Sequence, residues 1–339
     1  MPVFVIQSDR MSKRILSGIQ PSGELHIGNY LGAIRQWISL QETYESFFCI
    51  VDLHAITVRQ DPIALREQIR RVAATYIAAG VDPERSTIFV QSEVPAHAEL
   101  AWVLGTFTQM GELERMTQFK DKAAQHKKNV NAGLFTYPTL MAADILLYKP
   151  NVIPVGNDQK QHVELTRNIA QRFNNHYKQD LFVLPEPLFP AEGARVMGFD
   201  DPTQKMSKSA ASELNYISFA DDGATIRKKL KKSVTDSGSE ISAGTDKPAL
   251  TNLLTIYSLV SGKSVKELEK EYSGKGYGDF KSDLGDVLAE WMAPIQQKRG
   301  ELLTDVAQLD SILDRGREKA EVIAQNTLTE VYNTVGLGR

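Results

Sequence analysis

Arg14-Ile15-Leu16-Ser17-Gly18-Ile19-Gln20-Pro21-Ser22-Gly23-Glu24-Leu25-His26-Ile27-Gly28-Asn29 is the stretch that decides the fold. Its first four residues read as a strand and its middle as a Gly/Pro/Ser turn. Asn29 to Glu45 then reads as a helix, with Leu31, Ile34, Trp37, Ile38 and Gln41 at helical spacing. In an open parallel sheet, the turn between such a strand and helix is where a nucleotide phosphate sits: the first N–H groups and the dipole of the helix favour an anion. The glycines allow the backbone to approach closely. His26 and Asn29 lie three apart on one side of a turn, and each can donate to a phosphate oxygen. Taken alone, the segment fits a plain Gly/Pro turn with a stray histidine equally well.

Working outward, Phe47-Phe48-Cys49-Ile50-Val51, Thr87-Ile88-Phe89-Val90 and Val152-Ile153-Pro154-Val155 are short apolar strands. Between them lie helical segments over 62–79, 98–107, 138–148 and 158–173; Asp61 caps the first and Pro62 suits its first turn. Strands that are apolar throughout and separated by helices imply a parallel sheet covered on both faces. This is an α/β class chain with a Rossmann-like doubly wound sheet. From Asp221 onward the pattern is helical, with segments over 221–232, 249–261, 265–272, 280–299 and 310–335. Gly, Pro, Ser and Asp cluster over 190–220 and mark the boundary. The expected division is an extension over 1–13, a sheet domain over 14–205 and a helical domain over 206–339.

The chain has 339 residues, 42% hydrophobic and 24% charged, with a net charge of −3. That suits a two-domain globular protein and excludes a uniformly basic nucleic-acid coat. Its one cysteine, Cys49, sits in an apolar run and reads as a buried, inert thiol. No pair of histidines has metal-ligand spacing, so no metal ligands are expected. No stretch approaches the roughly 20 apolar residues of a membrane span, and no leader is evident; a cytoplasmic protein is expected.

A second motif, Lys205-Met206-Ser207-Lys208-Ser209, follows a loop containing Gly198, Asp200, Asp201, Pro202 and Thr203. Two lysines three apart make a mobile clamp for a polyanion, because each is a point charge on a flexible stem. The plain alternative is a solvated basic loop. The pair of motifs is far more specific than either one, and together they resemble the HIGH and KMSKS signatures of class I aminoacyl-tRNA synthetases. Further strings resemble the bacterial-type tryptophanyl-tRNA synthetase family: Gly18–Gly23, Gly111–Lys120, Ala142–Tyr148, Gly156-Asn157-Asp158-Gln159 and Gly274–Gly278. The likeness runs from about residue 14 to the end of the chain. In this chain the HIGH motif reads His26-Ile27-Gly28-Asn29; the asparagine still donates but carries no charge, and the family resembles the chain in that residue.

The resemblance implies in-line attack of an amino-acid carboxylate on the α-phosphate of ATP, with catalysis by positioning and charge stabilisation. It implies that Lys205 and Lys208 hold the departing pyrophosphate with Mg²⁺, aided by His26 and Asn29. Gln20, Pro21, Ser22, Gly28, Asn29 and the loop residues Met206, Ser207 and Ser209 would cradle ATP. Gly156, Asn157 and Asp158 would meet the ribose and Val196 the adenine, while Lys122 is a further candidate phosphate contact. The amino-acid pocket is argued from Asp144, a carboxylate in an otherwise apolar helical run that needs a donor partner. One candidate donor is the indole N–H of L-tryptophan; the others are Lys149 and a backbone N–H. Tyr137, Met141 and Gln159 match other pocket positions, and His54 at a strand end is either a pocket residue or a satisfied structural one. A carboxylate accepts from a phenol O–H as well, so tryptophan over tyrosine rests on the resemblance.

His97, His126 and His176 read as surface or cap residues. Gly262-Lys263-Ser264 ends like a phosphate loop, but Tyr257 stands where the first glycine is required. The basic run Arg227-Lys228-Lys229-Leu230-Lys231-Lys232 reads as a solvated helix face or, in a synthetase, as a contact for tRNA phosphates. The resemblance implies tRNA(Trp) as partner, an anticodon-reading helical half and a homodimer, for which residues 112–135 offer apolar surface; no membrane or DNA partner is expected. The rivals are the tyrosine-specific sister enzyme, a small-molecule adenylyltransferase and a non-catalytic synthetase-like RNA-binding protein.

Overall fold

A computed structural model describes residues 13–125, 130–189, 196–207 and 212–339. Five strands form one sheet: β1 (Arg14–Ile19), β2 (Glu45–Ile50), β3 (Ser86–Val90), β4 (Val152–Pro154) and β5 (Glu186–Leu188). Their order is β3-β2-β1-β4-β5 and every pairing is parallel. Ile15, Phe48 and Ile88 enter one buried cluster while Leu16, Phe47 and Phe89 enter the other, so both faces are covered. That is why these strands are apolar at successive positions rather than at alternate ones. The chain leaves β1 toward β2 and β3, then returns past β1 to β4. The direction reverses between β1 and β4, the position where open sheets of this kind bind ligands.

In the first half the helices are α1 (Ile27–Asn29), which continues through a π-turn over Tyr30–Ile34 into α2 (Arg35–Leu40), then α3 (Asp52–Ala55), α4 (Pro62–Ala78), α5 (Ala96–Gly105), α6 (Met110–Glu114), α7 (Thr117–Gln125), α8 (Ala132–Leu147) and α9 (Lys160–Tyr177). Asp61 caps α4 by accepting from the N–H groups of Ile63 and Ala64, and Pro62 occupies its first turn. Several bounds differ from expectation, and two of them have a plain local cause. The first helix stops at Leu40 rather than Glu45. Gln41 is buried there, donating to the Gly80 carbonyl and accepting from the Asp82 N–H, while Glu45 opens β2 and binds Arg14 at 2.7 Å. Helix α8 begins at Ala132, capped by Asn131, so Pro138 lies inside it rather than at its start; the missing N–H removes one helical bond there.

The remaining helices are α10 (Gly223–Lys231), α11 (Pro248–Ser261), α12 (Val265–Glu271), α13 (Tyr277–Thr304) and α14 (Val306–Val335). Residues of α10 to α13 join the cluster on one face of the sheet, whereas Ala320, Ala324, Leu328 and Val331 of α14 join the other. Helix α14 lies against β3, the edge strand, and a Cβ added at Gly316 would fall 1.8 Å from the Ile88 carbonyl oxygen. An otherwise open sheet edge is thereby shielded from a second chain. No helix among the described residues is long and apolar enough to cross a membrane.

Because Gly316 meets backbone rather than a movable side chain, Gly316→Ala is expected to lower stability by about 1–3 kcal/mol, against the roughly 1 kcal/mol that alanine contributes elsewhere in a helix. Denaturant midpoints measure this; an unchanged or raised midpoint refutes the close seat of α14 on β3.

Candidate functional site

The loop after β1 is set from several sides. Glu24 binds Arg71 of α4 at 2.9 Å and Arg299 of α13 at 2.6 Å, and Gln68 donates to the Gly23 carbonyl at 2.8 Å. The Ile27 N–H donates to the Ile217 carbonyl and the Phe219 N–H to the Leu25 carbonyl, both at 3.0 Å. His26 is buried at the start of α1, and the Asn29 side-chain oxygen accepts from its backbone N–H at 3.0 Å. That bond turns the Asn29 NH₂ away from the chain as the donor end of the side chain. Pro21 is buried, Gln20 half-buried and Ser22 exposed at the tip of the turn.

The lysine loop is hung beside this one. Val196 and Met206 pair through the Met206 N–H at 3.0 Å, and both side chains are buried. Asn252 of α11 grips Met197 at both its N–H and its carbonyl, each at 2.9 Å, and the Asn215 side-chain oxygen accepts from the Ser207 N–H at 3.0 Å. A Cβ at Gly28 would lie 2.9 Å from the His26 ring and 3.3 Å from the Met206 sulfur, so the two motifs pack closely at this glycine. Lys205 reaches across the switch point to Asp158, with Nζ 3.7 Å from Oδ1, both side chains being more than half exposed. Gly156 and Asn157 stand beside Asp158 in the turn after β4, and Gln159 donates to Asp158 at 3.1 Å. Lys208 and Ser209 lie outside the described residues, as does His126.

The second pocket is built on one face of α8, where Tyr137, Met141 and Asp144 follow at helical spacing. Asp144 is 3% exposed. Its Oδ2 accepts from His54 Nε2 at 2.7 Å, and its Oδ1 accepts from His97 Nδ1 at 2.7 Å and from Gln91 Nε2 at 2.6 Å. Burial alone pushes a carboxyl up, but His54 and His97 together outweigh it and hold Asp144 well below the usual carboxylate range. Of the alternative donors expected from sequence, Lys149 pairs with Glu330 at 2.6 Å instead. His54 both touches Asp144 and faces Tyr137, their rings 6.1 Å apart. The Tyr137 hydroxyl lies 2.9 Å from His162 and 3.5 Å from Gln118, which donates to the Asp158 carbonyl. Tyr137 and Asp144 share α8, so the Tyr137–Gln118–Asp158 contacts tie the Asp158 turn to the helix that carries Asp144. Lys122 lies with Nζ 4.5 Å from the Tyr137 ring centre, its pKa lowered by burial.

His97 corrects the surface assignment: it is fully buried, because α5 begins at Ala96 and turns this side chain onto Asp144 and Tyr148. Gln91, Tyr148 and His162 were not singled out as site residues from sequence. The one available signal was that Gln91 directly follows a strand, where sites of this fold gather. Cys49 is buried, its thiol pushed up by burial. In the basic run, Lys229 is buried and bound to Asp221 at 2.7 Å, and Arg227 binds Asp286 at 2.6 Å, whereas Lys228, Lys231 and Lys232 are exposed.

A nucleotide-type switch point, a lysine loop beside it and a buried carboxylate on α8 give an α/β arrangement of the kind that binds nucleotides at a sheet's carboxyl edge. Residues 9–293 match the family described as tRNA synthetases class I (W and Y). The tryptophan--tRNA ligase of Listeria monocytogenes is 55% identical over 330 residues, covering 97% of this chain and 99% of that protein. Among solved structures, tryptophanyl-tRNA synthetase from Mycoplasma pneumoniae superposes with a TM-score of 0.89 at 38% identity, covering 97% and 99% of the two chains. The enzyme from Campylobacter jejuni, complexed with ADP and tryptophan, superposes at 0.81 and 41% identity, covering 96% and 100%. The chain belongs to the class I tRNA synthetase family for tryptophan and tyrosine, on its bacterial tryptophanyl branch.

Burial, and then the Lys122 charge, push His162 down to about 4. The native state therefore keeps it neutral at a pH where the unfolded chain protonates it near 6.5. Stability from this group is full above about 6.5 and is lost as pH falls toward 4. His162→Gln, which keeps a donor near Tyr137 but does not titrate, is expected to flatten the stability–pH slope in that window by up to about 1.4 kcal/mol per unit. Urea titrations at several pH values test it; an identical slope refutes a neutral buried His162.

Proposed function

We propose that the chain activates L-tryptophan with MgATP to tryptophanyl-adenylate and transfers the tryptophanyl group to tRNA(Trp), releasing pyrophosphate and then AMP. The observation that supports it is a dry carboxylate, Asp144, on the helix whose Tyr137 contacts Gln118, which in turn binds the Asp158 carbonyl beside the solvent-exposed Lys205–Asp158 pair. A tryptophan carboxylate oxygen forms a bond to the α-phosphorus while the bond to the bridging oxygen of pyrophosphate breaks. The carboxylate is already a nucleophile, so no side chain takes a proton.

In this reading Lys205 and Lys208 stabilise the charge gathering on the leaving pyrophosphate. His26, Asn29, Gln20, Pro21, Ser22 and Gly28 line the phosphate side, with Met206, Ser207 and Ser209 closing over it. Asp158 leaves Lys205 to accept from the ribose, beside Gly156 and Asn157, and Val196 floors the adenine site. Mg²⁺ enters with ATP, held mainly by phosphate oxygens. Asp144 reads the indole N–H, with His54, Tyr137, Met141 and Gln159 around the amino acid. Asp144 has about four acceptor sites, and three are filled by His54, His97 and Gln91. The fourth, on Oδ2, is left for the substrate.

The helical half, over 206–339, contacts tRNA, with exposed Lys228, Lys231 and Lys232 as phosphate contacts. A homodimer in the cytoplasm is the working assembly; exposed Met110 and Val130 flank or lie within the 112–135 segment, and Trp102 of α5 is 79% exposed. The tyrosine-specific alternative shares the chemistry, but the 55% identity to a tryptophan--tRNA ligase favours tryptophan. Amino-acid-dependent ATP–pyrophosphate exchange tests the proposal: exchange with tryptophan alone supports it, and exchange with tyrosine or none refutes it.

Lys205→Ala is expected to slow adenylate formation by about 10²–10³-fold with tryptophan affinity within about threefold. Its fold should be unaffected, since an exposed pair contributes little. An unchanged single-turnover rate refutes the clamp role.

A further inference from the structure

Asp144 selects between substrates only if its vacant acceptor site points one way, and a lone carboxylate on a helix is free to rotate. Here Oδ1 is occupied twice, by His97 Nδ1 and Gln91 Nε2, while Oδ2 takes only His54 among the described residues. Because Asp144 is an anion, His97 donates to it from Nδ1, and its Nε2 is left for a second bond. The Tyr148 hydroxyl supplies that second bond at 2.8 Å. His97 is itself fully buried against Phe89 and Tyr148, their rings 6.0 and 5.6 Å from its own, so it has no freedom to turn.

We propose that His97 is a specificity-positioning residue. Locked by Tyr148 as the Nδ1–H tautomer, it pins Oδ1 of Asp144 so that the open acceptor site of Oδ2 faces the pocket, and an aromatic amino acid without a ring N–H is rejected. This rests on Asp144 reading the indole, as proposed above. His97 does not touch the substrate; it acts through Asp144. When the carboxylate is pinned, a substrate lacking the N–H leaves Oδ2 unpaired in a dry site. When it is unpinned, it swings to another donor and the penalty disappears.

The test compares kcat/KM in ATP–pyrophosphate exchange for L-tryptophan and for its isostere with benzothiophene in place of indole. The ratio cancels any loss of folded enzyme. For the unaltered protein it is expected on the order of 10⁴. His97→Asn puts an amide N–H where Nδ1 was and should keep the ratio within about threefold. His97→Gln carries its amide at the Nε2 position and withdraws the donor, so the ratio should fall at least about tenfold. His97→Leu gives the same reading if the glutamine variant fails to fold. A preserved ratio in His97→Gln or His97→Leu, with both substrates slowed alike, overturns the proposal and leaves His97 as packing. An equal loss in His97→Asn also overturns it. A ratio below about tenfold in the unaltered protein sinks the Asp144 reading itself, and His97 with it.

Discussion

A carboxylate 3% exposed in the middle of an apolar helix is costly unless donors surround it. Asp144 obtains them from three other places: His54 from α3 after β2, Gln91 from the turn after β3 and His97 from α5. Each orphaned partner would cost about 1–3 kcal/mol, so these elements cannot move independently. The pocket behind the sheet edge takes its shape from this junction. Tyr137 and Met141 share the helix with Asp144, and their placing follows from where that helix is anchored.

The nucleotide side depends on a different junction. Arg299 is 8% exposed, and burial lowers its pKa while Glu24 opposes the shift. That charge is offset by Glu24, whose other oxygen takes Arg71, so the loop after β1 is tied to α4 and α13 at one side chain. The lysine loop is tied to α11 through Asn252. Both the loop after β1 and the lysine loop are therefore fixed to helices of the second half of the chain rather than to the sheet alone. Whatever shifts α11 or α13 relative to the sheet shifts Lys205 relative to Asn29.

Most of the architecture was legible because its physics is local. Parallel strands buried on two faces must be apolar runs, and Asp61-Pro62 declares a helix start. β5 was not legible: Glu186-Pro187-Leu188 is a three-residue strand at the sheet's edge among the described residues, where proline is tolerated because one side does not pair. Pro138 misplaced the start of α8 because surrounding packing overrides a local preference. In the site, the loops announced themselves through glycine and lysine spacing. His97 did not, since Ala96 and Ala98 beside it say nothing about burial and Asp144 is 47 residues away. Tertiary hydrogen bonds of that range leave no periodic trace.

Asp144 and Lys205 differ in the property that the tasks proposed for them need. Discrimination between similar rings needs a rigid acceptor in a dry site, where one unmade hydrogen bond is expensive; Asp144 is dry and held by three donors. Charge that migrates from α-phosphate to leaving pyrophosphate needs a partner able to follow it. Lys205, with its side chain 57% exposed on a loop and its nearest anion 3.7 Å away, is held loosely. Exchanging the two environments would defeat both: a solvated Asp144 would let water replace the missing ring N–H, and a buried Lys205 would pay desolvation before any phosphate arrived. Tyr137 and Gln118 tie the Asp158 turn to α8, which carries Asp144, so in the proposed reading the two unlike ends keep a fixed spacing.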